Sequence, residues 1–181
     1  MINDKELSNL DLDLLYSKSN IRNFYKPEKV NIITTYSIDK LPGQQSLEDN
    51  NIDIFKNCGH AVIFHRWYPD KSAHWLTLLR DEQNNVIIFD SLGSNGMQKN
   101  KKKFNLLLKR LKDNGYKKIT VNSKAYQGET NSCGKYAIFA IAMNKLYKGT
   151  SMKQINDYLD FEYKKNDSYD NYILKLFSKD I

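Results

Sequence analysis

The chain is sparing with groups that can attack or move a proton. It holds two cysteines, Cys58 and Cys133, and three histidines, His60, His65 and His74. Three segments place such groups in a usable order: Ala73-His74-Trp75, then Phe89-Asp90-Ser91-Leu92-Gly93, then Gln127-Gly128-Glu129-Thr130-Asn131-Ser132-Cys133-Gly134. A thiol is a weak nucleophile until a base or a helix N-terminus favours the thiolate. The base needs a third group to fix its tautomer, and the developing oxyanion needs donors aimed at it. Cys133 can serve as nucleophile and His74 as base, with Asp90 expected to accept the Nδ1 proton of the imidazole. Gln127, six residues before Cys133, can donate its amide to the oxyanion beside the Cys133 N–H. This combination implies cysteine-peptidase chemistry. His60 and His65 lack such neighbours and are expected to be structural, while Asn131 and Ser132 suit helix capping.

Strand ends and helix starts must carry these groups. The apolar runs His60 to Trp67, His74 to Arg80 and Val86 to Asp90 are separated by Tyr68-Pro69-Asp70 and by Asp81 to Asn85. Such short turns predict antiparallel strands. Ala61-Val62-Ile63-Phe64 and Val86-Ile87-Ile88-Phe89 read as central strands covered on both faces. Residues 97–113 predict an amphipathic helix striped by Phe104, Leu107, Leu108 and Leu111 and stopped at Asn114-Gly115. A strand is expected from Lys118 to Val121, and a helix apolar on every side from Cys133 to Tyr147. Its first turn would present free N–H groups and the positive end of the dipole to the Cys133 sulfur. Helices are further predicted at 3–17, 151–164 and 169–178. Residues 21–57 read as irregular and polar, with one short strand between Val30 and Ile38.

With 181 residues, 40% of them hydrophobic and 27% charged, the chain suits one domain spanning 1–181 with a sizeable core. No apolar run is long enough to cross a bilayer, and the acidic start to Leu15 does not read as a secretory signal. Two cysteines are too few for a disulfide framework, so a reducing compartment is expected. No Cys/His spacing suggests a metal site. Abundant Lys, Asn, Ile and Tyr fit an AT-rich coding sequence, as in many viruses and some bacteria.

The Cys-Gly-Ser-Cys-Trp signature of papain-like enzymes and the Gln-Ala-Cys of caspases are absent. The order His-Trp, Asp at a strand end, Gln, then Cys-Gly at a helix start instead resembles the clan that contains adenain, the adenovirus maturation protease, and the ubiquitin-like-protein-specific proteases. The likeness covers roughly residues 58–147. Asp90 and the six-residue step from Gln127 to Cys133 are similar to the ubiquitin-like-protein branch. The short chain, Gln127-Gly128 with Asn131, and Ile38-Asp39-Lys40-Leu41-Pro42 are similar to adenain-like enzymes.

That resemblance implies an α+β fold: a central mixed sheet flanked by helices, with the nucleophile at the N-terminus of a buried helix. It implies His74, Asp90, Gln127 and Cys133 as catalytic residues and Trp75 as a wall of a narrow substrate groove. The adenain-like reading implies a viral endopeptidase that cuts capsid or core precursors after small residues such as Gly. It would act in the virion and the infected cell, whether viral factory, cytoplasm or nucleus. The alternative is a deubiquitinase-like or deSUMOylase-like peptidase acting on ubiquitin-like-protein conjugates.

No cofactor is needed for the chemistry, no membrane partner is implied, and a monomer is the default. The net charge of +7 permits a polyanionic partner. Lys99, Lys101, Lys102, Lys103, Lys109 and Arg110 are candidate contacts to viral DNA, since the adenain likeness implies DNA or an activating peptide as cofactor. Cys58 is expected to be a buried structural thiol.

Overall fold

The structure is a computed structural model that describes residues 31–56, 58–146 and 151–177. The helix expected at 3–17 falls outside the described residues. Six strands form one sheet: β1 (Asn31–Thr34), β2 (Gln45–Ser46), β3 (His60–Arg66), β4 (Ala73–Arg80), β5 (Val86–Phe89) and β6 (Ile119–Val121). Four α-helices follow among the described residues: α1 (Lys101–Asp113), α2 (Cys133–Leu146), α3 (Met152–Asn166) and α4 (Tyr169–Leu176).

The strand order is β2-β1-β3-β4-β5-β6. The two tight turns make β3, β4 and β5 antiparallel. The longer connection through α1 returns β6 parallel to β5, and β1 lies parallel to both β2 and β3. The architecture is therefore the expected α+β arrangement with a mixed central sheet.

Alternation along β3 explains why its run is apolar without a break. Val62 and Phe64 enter one core cluster with α2, whereas Ala61 and Ile63 enter another with Leu107 and Leu111 of α1. Helix α1 presents the predicted stripe, starts where the Asn100 side chain accepts from Lys103 N, and ends before Gly115 at φ +92°.

Helix α2 is apolar all round because it is covered twice. The sheet lies on one side, where Thr77 Oγ1 donates to the Ala137 carbonyl at 3.1 Å. Ile155, Leu159, Ile173 and Phe177 from α3, α4 and the residue after α4 join the same cluster. Each of these two C-terminal helices has a serine N-cap, Ser151 and Ser168, and Ser151 forms a capping box with Gln154.

The segment expected to be irregular apart from one short strand holds that strand, β1, and is more useful than its composition suggests. Besides β1 and β2 it sends Leu47, Ile52, Ile54 and Phe55 into the core beneath α1. These side chains follow no helical or strand period, so the pattern does not announce them. Their backbone is held by side chains instead: Asn114 accepts from Ile54 N at 2.9 Å and donates to the Ile52 carbonyl at 2.8 Å.

Candidate functional site

The β4–β5 register brings the base to the acid. Thr77 faces Phe89 and Leu78 faces Ile88, so Asp90 stands one step past the last paired residue and diagonal to His74. His74 Nε2 and Asp90 Oδ1 are 2.6 Å apart, and the two residues are 1% and 2% exposed. The nitrogen differs from expectation: Asp90 engages Nε2, not Nδ1. With Nε2 on the carboxylate, Nδ1 is the ring's other nitrogen. Cys133 forms a side-chain hydrogen bond with the same imidazole, so His74 links the Asp90 carboxylate to the Cys133 thiol.

Asp90 is fixed by more than the histidine. Oδ1 also accepts from Leu92 N at 2.9 Å, and Oδ2 accepts from Met97 N at 3.0 Å. Both donors come from the Ser91-Leu92-Gly93 turn and the short 3-10 turns that follow it. Gly93, at φ +57°, lets this turn press on residues 123 and 124, where a Cβ would sit 2.3 Å from the Ser123 carbonyl oxygen.

Cys133 is the first residue of α2 and is 3% exposed. The first intrahelical bond runs from Tyr136 N to the Ser132 carbonyl at 3.0 Å. The N–H groups of Cys133, Gly134 and Lys135 therefore have no carbonyl within the helix, and the dipole's positive end meets the sulfur. The expected helix start is thus observed, with Ser132 at the capping position.

Gln127 lies in the loop before α2, tied to the acid's turn. Its N–H donates to the Ser91 carbonyl at 2.9 Å, and its side-chain Oε1 accepts from Ser91 Oγ at 2.7 Å. Nε2 donates one hydrogen to the Thr130 carbonyl, and the amide carries a second. Asp170 of α4 braces the same loop, accepting from Gly128 N at 2.8 Å and from the Tyr136 hydroxyl at 2.9 Å. Burial and the Asp170 charge raise the Tyr136 phenol pKa.

Trp75 does not line a groove. It is 1% exposed and packs on the Phe64 ring at 4.9 Å, because strand alternation turns it to the opposite face from His74. The tryptophan at the site is Trp67, half-buried at the end of the β3 run, with its ring 5.5 Å from that of His74. It reads in sequence as one more residue of an apolar strand; the His65–His74 register, continued by Trp67 N donating to the Ser72 carbonyl at 2.9 Å, sets it on the face of the imidazole.

His65 is also closer to the chemistry than expected. It pairs directly across from His74 in the β3–β4 ladder, contacts Trp67 at 4.8 Å, and has Nδ1 3.0 Å from Thr35 Oγ1.

Of the candidate DNA contacts, Lys99, Lys101, Lys102 and Lys109 are exposed, and Lys109 pairs with Asp113 at 2.7 Å. Lys103 is held by Glu48 at 3.2 Å and by the Tyr36 ring, and Arg110 donates to the Leu47 carbonyl at 2.9 Å. Both serve the fold. Cys58 is half-buried rather than buried. No cluster of three metal-ligating side chains occurs among the described residues.

The two neighbouring histidines are driven in opposite directions. Burial pulls His74 down, but the Asp90 charge and hydrogen bond, with help from Cys133, outweigh it and hold the imidazole above its ordinary 6.5. Burial and the nearby His74 push His65 down to about 4.

The linkage to stability follows in sign. The contribution of His74 is full below pH 6.5 and is lost as pH rises through its raised folded value. That of His65 is full above pH 6.5 and is lost as pH falls toward 4. The lowered carboxylates of Glu48, Asp49 and Asp160 act only below their ordinary values of 4.5, 3.8 and 3.8. Melting temperature should therefore fall between pH 6.5 and 4.5, and His65→Gln should flatten that slope. An equal slope in the variant would remove His65 as its source.

No family model matches the chain, and no curated protein sequence matches it. The chain is similar in structure to a solved de-sumoylating protease at 16% identity and a TM-score of 0.43, covering 97% of this chain and 81% of that one. It is also similar to ChlaDub1 from Chlamydia trachomatis at 14% identity and a TM-score of 0.33, covering 77% of this chain and 65% of that one.

Proposed function

We propose that this protein is a cysteine peptidase. The observation that carries the reading is one imidazole hydrogen-bonded to Asp90 through Nε2 and linked to Cys133, with that cysteine opening a buried helix. In the reaction, the Cys133 proton passes to His74 Nδ1 to form a thiolate–imidazolium pair, and the thiolate Sγ attacks the scissile carbonyl carbon. The first-turn N–H groups of α2 and the second Nε2 hydrogen of Gln127 take the charge on the oxyanion. Collapse breaks the C–N bond, and the amine leaves with the proton from His74. Water then hydrolyses the thioester, with His74 acting again as base.

For the substrate class, we take forward the ubiquitin-like-protein conjugates. Asp90 as the acid and the six-residue step from Gln127 to Cys133 favour that branch of the resemblance. The adenain-like reading rested partly on Ile38-Asp39-Lys40-Leu41-Pro42, and in the structure Asp39 has a scaffold role. It accepts from Arg66 Nε at 3.1 Å and from the Tyr68 hydroxyl at 3.0 Å. Capsid processing and a place in the virion gain no support from this geometry.

The test incubates the protein and Cys133→Ala with ubiquitin and SUMO active-site probes and with Gly-rich capsid-type peptides, each with and without DNA. Labelling of Cys133 by a probe is the expected result. Peptide cleavage without labelling would move the substrate to precursor proteins, and DNA stimulation would assign a role to the exposed lysines. Neither labelling nor cleavage would overturn the peptidase reading.

A further inference from the structure

Asn122 lies one residue past β6, is 6% exposed, and makes contacts that the reaction scheme above does not use. Its side-chain Oδ1 accepts from Asp90 N at 2.8 Å, and its Nδ2 donates to the Asp90 carbonyl at 2.6 Å. The same Nδ2 reaches the Lys124 carbonyl at 2.9 Å. One carboxamide thus satisfies both main-chain groups of the acid. The β5–β6 ladder ends at Ile88 opposite Val121, so the Asn122 side chain replaces the peptide group that a longer β6 would supply.

The space around the carboxylate is fixed as tightly. A Cβ on Gly96 would lie 2.2 Å from Asp90 Oδ2 and 2.5 Å from its Cγ, so the carboxylate fills the volume that a side chain there would need. No described hydrogen bond of Asn122 goes to His74 or Cys133.

We propose that Asn122 is a positioning residue for catalysis: by clamping the Asp90 backbone on both sides, it sets the direction from which the carboxylate meets His74 Nε2. Gly96 sets the opposite wall. Only a side chain carrying an acceptor and a donor on one short stem can bond both main-chain groups, which excludes Asp, Ala and Leu at this position.

The kinetic consequence rests on the peptidase reading, whereas the geometry does not, and the experiment separates them. Asn122→Asp keeps the shape and the acceptor but sets an oxygen against the carbonyls of Asp90 and Lys124. The expected result is a kcat roughly 10²-fold lower with KM unchanged, the scale of loss from misplacing a catalytic group. Gln98→Ala is the control: it removes a 3.1 Å bond to the Asn122 main-chain carbonyl and leaves Asp90 untouched, so it should keep kcat.

A second readout needs no substrate. The downfield proton resonance of the His74–Asp90 hydrogen bond should move or broaden in Asn122→Asp and stay in Gln98→Ala. If Asn122→Asp does not fold, Gly96→Ala displaces the carboxylate from the other side and should give the same two changes. A parent-like resonance in folded Asn122→Asp, or a parent-like kcat, overturns the proposal. If the parent chain cleaves nothing, a resonance shifted in Asn122→Asp upholds the clamp on Asp90 and discards the peptidase reading alone.

Discussion

Replacing Cys133 with alanine abolishes cleavage and probe labelling and leaves the folded state nearly as stable as before. On the proposed reading the sulfur is the attacking atom, so its loss would remove the covalent route altogether; loss of a nucleophile that works as a unit with its base costs about 10⁶ in turnover. The structural cost is small by comparison. Cys133 is 3% exposed and belongs to the buried cluster that α2 forms with the sheet, and deleting one buried heavy atom costs about 1 kcal/mol. In a chain of this size that moves the melting temperature by roughly 2–4 °C. Circular dichroism melts run beside turnover assays separate the two effects. Cys58→Ala is the matched control and should keep full activity. Cleavage retained by Cys133→Ala would mean that another group attacks, and the assignment would fall.

Asp90→Asn should be the next most damaging change, with kcat lowered by about 10⁴, the scale seen when a triad acid is made neutral. The isostere fails here for a specific reason. Both carboxylate oxygens already face donors: His74 Nε2 and Leu92 N on one, Met97 N on the other. An amide NH2 must therefore meet a donor whichever way it turns. If it faces the imidazole, Nε2 becomes the acceptor and Nδ1 carries the proton, so the ring cannot take the thiol hydrogen. Removing the Asp90 charge also removes the main force that raises the His74 pKa against burial, so the imidazole should titrate lower in the variant. Titration of His74 by NMR and kcat at neutral pH test both statements. A loss of kcat below tenfold with an unmoved imidazole would show that Asp90 does not orient His74.

The residues that converge at the candidate site were legible in sequence because each sits where periodicity breaks: His74 at a strand start, Asp90 just past a strand end, Cys133 at a helix start. The double-sided core was legible too, since β3 and β5 lack polar alternation. Other features were hidden for physical reasons. Trp67 and Trp75 are similar words in similar apolar runs, and which one meets His74 depends on strand parity and on a turn that folds back. The choice of Nε2 over Nδ1 depends on a diagonal register that a sequence does not display. Leu47, Ile52, Ile54 and Phe55 have no period, and Asn122 resembles any polar residue after a strand until Asp90 is placed against it.

The brace from Asp170 to Gly128 and Tyr136 bears on when, during synthesis, the loop before Cys133 becomes fixed. Translation delivers His74 and Asp90 first, then the Gln127 loop and Cys133, and only afterwards the helix that carries Asp170. A chain still leaving the ribosome has its thiol before it has the strut that steadies the loop beside it, and before α3 and α4 cover α2. If Cys133 is the nucleophile proposed above, competence would therefore arrive late in synthesis, once α3 and α4 have packed onto α2.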